Sequence, residues 1–180
     1  MSNKYVAFLR GINVGGRRKI LMADLKVLYQ NLGYSNIVTY IQSGNVLFDS
    51  DTKESPKEMC EKITQAIKAQ YDFDVPVIIR SVEEIEYILE NNPFMTEEEG
   101  IINKLHLTFL SAIPAPENVE IAKSFDFSPD VFEIIGNNVF IYVGGSYHKT
   151  KLSNQFFEKK LKVRATNRNW KTVRKLKVLT

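Results

Sequence analysis

Cysteine is nearly absent. Cys60 is the only one in 180 residues, which excludes an internal disulfide and any cysteine-rich metal site. Histidine is as scarce: His106 and His148 stand far apart, too few for a zinc site built from three or four side chains. No stretch approaches the roughly 18 consecutive apolar residues of a membrane span. Met1-Ser2-Asn3-Lys4 leads directly into a strand-like run, with no cleavable apolar segment. Together these absences predict a protein of the reducing cytoplasm with no membrane partner. Signatures of common catalysts are missing too: there is no G-x-S-x-G elbow, no H-E-x-x-H helix and no paired-cysteine motif. The 44% hydrophobic and 25% charged content is that of a chain that buries a core, which excludes disorder.

The scarce reactive residues have plain readings. Cys60, beside Met59 and Ile63, reads as a small apolar filler. His106 alternates with Lys104 and Thr108 opposite Leu105, Leu107 and Phe109, which predicts a surface position, as does the setting of His148 after two glycines. Glu97-Glu98-Glu99 reads as a solvated acidic stretch.

Charge is abundant but uneven. Residues 147–180 hold 11 Lys/Arg against Glu158 alone, and residues 1–26 hold six against Asp24. The middle, 27–146, holds seven basic and 19 acidic residues, so the net +3 conceals two basic ends around an acidic centre. Two accounts fit this asymmetry: a surface for phosphates or nucleic acid, or basic ends neutralised by acids within the same molecule.

The hydrophobic pattern predicts strand, helix, strand, strand, helix, strand twice over. Tyr5 to Arg10 reads as a strand, and Leu21, Leu25, Leu28, Tyr29 and Leu32 recur at helical spacing up to Gly33. Ile37 to Gln42 and Asn45 to Phe48 flank Ser43-Gly44 as a tight hairpin. A helix opened by Ser55-Pro56, a strand from Val75 to Arg80 and a helix from Val82 to Glu90 complete the first half. The second half repeats the order, with strands at Leu105–Leu110, Val131–Ile135 and Val139–Val143, helices at Pro116–Phe125 and Leu152–Leu161, a short strand at Val163–Thr166 and a last helix at Asn169–Leu179. The expectation is an α+β fold of two ferredoxin-like (β-α-β-β-α-β) subdomains, each with an extra C-terminal helix, spanning 1–92 and 103–180 with a linker near 93–102.

That topology makes a site expectation. A crossover helix sets the first two strands parallel and a hairpin sets the third antiparallel, so the loop after the first strand shares a sheet end with Ser43-Gly44 and with the turn at 72–74. The rim so formed gathers Arg10, Asn13, Arg17, Arg18, Lys19, Ser43 and Asn45 beside the positive end of the first helix. Gly15 and Gly16, with Gly11, let backbone approach an anion closely. Gly11 to Lys19 is neither a Walker A loop nor a dinucleotide fingerprint, and a glycine-bearing connection with solvated cations fits it as well.

Three segments, Leu9-Arg10-Gly11-Ile12-Asn13-Val14-Gly15-Gly16, Tyr40-Ile41-Gln42-Ser43-Gly44-Asn45-Val46-Leu47-Phe48 and Ala165-Thr166-Asn167-Arg168-Asn169-Trp170-Lys171-Thr172-Val173, resemble the signatures of domain-of-unknown-function family 1697. The resemblance implies a small bacterial protein of two ferredoxin-like subdomains with no assigned activity. Its matched polar positions are Arg10, Asn13, Lys19, Ser43, Asn45, Arg168, Asn169 and Thr172. Trp170 is expected in the core, with Asn169 or Thr166 capping the last helix. Arg168 and Lys171 are expected to join Arg10 and Lys19 around one anion.

The functional expectation is a binding protein for a phosphate-bearing ligand, nucleotide or nucleic acid, held by Arg10, Asn13, Gly15, Gly16, Lys19, Ser43, Asn45, Arg168 and Asn169. Two other readings stand beside it. One is an enzyme acting on a small anionic metabolite, with Ser43 or Tyr40 handling protons; the other is a scaffold for an acidic protein. The third strands offer only Phe48 and Phe140 for base stacking, short of the RNA-recognition pattern. The residues leave any cofactor open and offer no metal site.

Overall fold

The protein is seen in a computed structural model that describes residues 3–179. Its elements run β1 (Asn3–Leu9), α1 (Met22–Asn31), β2 (Ser35–Tyr40), β3 (Asn45–Ser50), α2 (Pro56–Tyr71), β4 (Val77–Ser81) and α3 (Val82–Glu90). The series continues with β5 (Leu105–Leu110), α4 (Pro116–Lys123), β6 (Val131–Ile135), β7 (Asn138–Tyr142), α5 (Asn154–Leu161), β8 (Ala165–Asn169) and α6 (Trp170–Leu179). Two compact units result, Met1–Tyr87 with Leu176–Thr180, and Ile88–Lys175. Among the described residues no helix is long and apolar enough to cross a membrane.

Each unit is an α+β fold with a four-stranded antiparallel sheet, in the orders β2-β3-β1-β4 and β6-β7-β5-β8. The expected ferredoxin-like topology is present in both. Local chemistry sets the helix starts. Ser55 caps α2 and Glu58 reaches back to the Ser55 N–H, a reciprocal pair that satisfies two otherwise orphaned donors. Ser81 and Glu84 do the same for α3. α5 begins at Asn154 rather than at Leu152 because Ser153 accepts the Phe156 N–H and caps it there. β8 extends to Asn169, beyond the expected Thr166, since its register with β5 runs from Ala165 opposite Leu110 to Asn169 opposite His106.

The first core lies between one sheet face and α1 and α2. Ala7, Leu9, Val46, Phe48, Val77 and Ile79 meet Leu25, Leu28 and Tyr29 from α1 and Met59, Ile63 and Ile67 from α2. Phe48, with ring centroids 4.6 Å from Tyr34 and 5.3 Å from Tyr29, anchors this layer, its burial contributing about 2 kcal/mol. That placement takes Phe48 out of contention for base stacking. In the second unit Leu110, Val139, Ile141 and Ala165 pack with Ala122, Phe157 and Leu161. The opposite sheet faces are buried as well, through Val6, Phe8, Leu47 and Ile78 in one unit and Leu107, Phe109 and Phe140 in the other. Trp170 is buried against Phe140 on that second face, and Asn169 caps α6 by accepting the Thr172 N–H at 2.8 Å.

Candidate functional site

At the end of β1 the chain is tied on both sides. The Leu9 N–H donates to Gly44 O at 2.8 Å and the Arg10 N–H to Pro76 O at 3.0 Å, which sets Arg10 between the β2–β3 turn and the start of β4. The loop that follows is a miniature hairpin. Arg17 N–H donates to Val14 O and Asn13 N–H to Arg18 O, while Gly15 and Gly16, at φ +58° and +73°, take the two left-handed positions of the tight turn. Asn13 is the clasp. Its Nδ2 donates to Ile20 O and Gln42 O, and its Oδ1 accepts from the Ile20 N–H, all at 2.9 Å. One amide thereby fastens the glycine loop to itself and to the neighbouring turn.

That turn is equally constrained. A Cβ on Gly44, at φ +81°, would sit 2.7 Å from Leu9 Cβ and 2.8 Å from Ile12 Cδ1, so only glycine fits. Asn45 is buried, its Nδ2 donating to Tyr40 O and Ser43 Oγ. Ile41 holds φ +51°, a strained value for a β-branched residue.

A cavity of about 310 Å³ opens among these elements, lined by Asn13, Gly16, Lys19, Ile20, Leu21, Met22 and Gln42. It lies against the start of α1, where Leu21 occupies the capping position and contributes no side-chain cap. Arg17, Arg18 and Lys19 are exposed and form no ion pair among the described residues. The first unit thus brings together Arg10, Asn13, Gly15, Gly16, Lys19, Ser43 and Asn45 on one rim, with Asn13, Gly16 and Lys19 at the cavity itself.

Arg168 and Asn169 belong to the second unit. They pair with Leu107 and His106, at the opposite sheet end from the β6–β7 turn, where Leu110 N–H meets Asn137 O. Arg168 is buried, and its guanidinium donates to Thr166 Oγ1 and Asn167 O. Burial lowers its pKa to about 10. Arg80 occupies the same place in the first sheet, one residue before a helix-capping Ser81, and is buried too. The duplication therefore extends to a buried arginine at the end of each fourth strand.

Comparison with known proteins now bears on the chain. The model of a family described as "Protein of unknown function (DUF1697)" matches residues 2–140. The chain belongs to this family. A solved structure titled as a conserved bacterial protein from Streptococcus pneumoniae superposes with a TM-score of 0.78 at 26% identity, covering 99% of each chain. No curated protein matches. The DUF1697 match includes both rim segments, whereas the segment Ala165–Val173 lies beyond it.

In this DUF1697 chain the sequence reading also missed a polar cluster in the second unit. His106 is buried rather than on the surface, stacked on Tyr147 with centroids 4.0 Å apart and planes 11° from parallel. Asn167 joins the cluster: it is hydrogen-bonded to His106, accepts from Tyr147 Oη at 3.1 Å and donates to Thr108 Oγ1 at 2.9 Å. Burial lowers the His106 pKa, and its Nδ1 has no partner among the described residues. Alternation had placed His106 with Thr108 correctly, but that face is turned to the helix layer and not to water. Cys60 packs at the edge of the first core and burial pushes its thiol up to about 11, so it is inert at neutral pH. Among the described residues no group of three or more His, Cys, Asp or Glu could hold a metal ion.

Proposed function

We propose that the protein is a cytoplasmic binding protein for a phosphate-bearing ligand, taken at the rim of the first unit. The observation that carries the reading is the cavity of about 310 Å³ in which Lys19, the Gly16 backbone and the start of α1, uncapped by any side chain, converge. An anion there would gain the Lys19 charge and the field of the helix start, against which Asp24 in the first turn is the one acid of that turn. Arg17 and Arg18 add charge at the same rim with no ion pair among the described residues, and Ile20, Leu21 and Met22 give the cavity an apolar wall. The combination favours a nucleotide, with phosphate toward Lys19 and the less polar portion against that wall.

Fluorescence anisotropy with labelled ADP and with a labelled short oligonucleotide tests this. ADP should bind, with Lys19→Ala weakening it by about tenfold, roughly 1.4 kcal/mol. Raising salt from about 50 to 200 mM should weaken the oligonucleotide far more steeply than ADP. Absence of binding by either at low salt sinks the reading.

A further inference from the structure

We infer that the second unit carries a separate ligand site, a polar cavity of about 370 Å³ formed by residues 126–130, 145–146 and 149–151, built for a sugar phosphate. Lys149 and Lys151 line it, both exposed. Asp126 and Asp130 line the same cavity, yet neither lysine forms an ion pair among the described residues. The carboxylates are engaged by the loops themselves. Asp126 Oδ1 accepts from the Ser128 N–H at 2.9 Å and its Oγ–H at 2.6 Å, and Asp130 Oδ1 accepts from the N–H groups of Gly144 and Gly145 at 3.0 and 3.4 Å. Two ammonium groups are left for an external anion.

A bare anion suits the cavity poorly, because the two carboxylates oppose it. A ligand that also presents hydroxyl groups turns those acids into acceptors, and Ser128, Ser146 and Thr150 offer further hydroxyl partners. Phe127 and Pro129 are the apolar lining, modest beside the wall in the first unit. A phosphate monoester on a polyhydroxylated ring or chain matches this mixture.

The loop that carries the lysines is braced before any ligand arrives. A Cβ on Gly144 would lie 2.7 Å from Pro129 O, so the two loops meet backbone to backbone. Tyr147 is held by its stack on His106 and its bond to Asn167, and Thr150 Oγ1 accepts the Leu152 N–H. Bracing of this kind reduces the ordering cost of binding.

Isothermal titration of the full chain with glucose 6-phosphate, ribose 5-phosphate, inorganic phosphate and adenosine 5′-monophosphate tests the site. One of the two sugar phosphates should bind at least about tenfold more tightly than inorganic phosphate. The double substitution Lys149→Ala with Lys151→Ala should weaken it by a similar factor, while Lys19→Ala should leave it within about twofold. The proposal is overturned by sugar phosphates that bind no better than inorganic phosphate, by tighter adenosine 5′-monophosphate binding through the same lysines, or by indifference to the double substitution. Hydrogen exchange on the unsubstituted chain gives a second reading. Slowing confined to residues 126–130 and 144–151 in the sugar phosphate supports the site, and unchanged exchange there overturns it. Because Lys19 lies in the other unit, failure here leaves the nucleotide reading standing, and the reverse also holds.

Discussion

In the first unit the connection from β1 to α1 runs for 12 residues (10–21), while the matching connection from β5 to α4 has five (111–115). The third-strand connections invert this: five residues (51–55) join β3 to α2, and 11 (143–153) join β7 to α5. Each long connection supplies part of a cavity, completed by Gln42 in the first unit and by residues 126–130 in the second. Since β3 and β7 run antiparallel to the first strand of their sheets, the two cavities lie at opposite ends of equivalent sheets. The linings differ accordingly, with Ile20, Leu21 and Met22 in one and Ser128, Ser146 and Thr150 in the other. The β-α-β-β-α-β scaffold dictates which chain ends meet; where extra loop length is placed decides which sheet end opens, and what lines it.

The hairpin turns at corresponding places give the sharpest test of how alike the units are. Gly44 and Gly136 both hold positive φ, +81° and +59°, but a Cβ at Gly44 collides with Leu9 and Ile12 whereas one at Gly136 meets nothing within 4 Å. Gly44→Ala should therefore cost about 3 kcal/mol or more, combining backbone strain with overpacking. Gly136→Ala should cost only the left-handed penalty, about 1–2 kcal/mol. Urea midpoints of the two variants decide this. Equal losses would mean that the first turn relaxes freely and that the rim is not rigidly set by Gly44.

Much of this arrangement was legible in the residues. Alternation in Leu105–Leu110 and the Ser55-Pro56 helix start each reflect one local rule with no strong tertiary competitor, whereas the turn expected as a two-residue Ser43-Gly44 hairpin takes four residues, 41–44, because β2 ends at Tyr40 and Tyr40 pairs with Asn45. The Gly15-Gly16 pair between Val14 and Arg17 carried a tight-turn signal that, weighed as such, would have closed the loop into a hairpin. Other features depend on partners that spacing does not reveal. Asn13 could be placed on the rim, but not that its amide is spent on Ile20 and Gln42. Burial of Arg168 was hidden because a long side chain can fold its charge onto Thr166 and the Asn167 carbonyl. His106 was misjudged because period two fixes which residues share a face and is silent on which face is wet.

His106 also separates the units chemically, since Tyr5 stands at the corresponding β1 position opposite Ser81. Burial holds the folded pKa of His106 below its ordinary value. The unfolded chain therefore takes up the proton first, so the contribution of neutral His106 is intact above about pH 6.5 and is lost as pH falls below it. The slope approaches about 1.4 kcal/mol per pH unit until the folded value is reached. Glu54, Glu58 and Asp126, whose hydrogen bonds lower their pKa values, add acid sensitivity only nearer pH 4 and below. Resistance to denaturation, followed by Trp170 fluorescence, should fall in the natural chain as pH drops below about 6.5, and His106→Gln should flatten that fall. An unchanged profile in the variant would remove His106 as the cause.

The smallest effects should carry opposite signs in the two units. Tyr29 Oη is buried with no hydrogen-bond partner among the described residues, and burial raises its pKa well above the ordinary value. Tyr147 Oη, by contrast, donates to Asn167 while its ring stacks on His106. Tyr29→Phe removes a desolvated hydroxyl but keeps the ring against Phe48, so it should stabilise by up to about 1 kcal/mol. Tyr147→Phe keeps the stack and loses one hydrogen bond, which should cost about 0.5–1 kcal/mol. Thermal midpoints measured at one pH and protein concentration give both signs directly. A destabilised Tyr29→Phe would require a hydrogen-bond partner for that hydroxyl in solution, and would make the two tyrosines alike where the structure makes them differ.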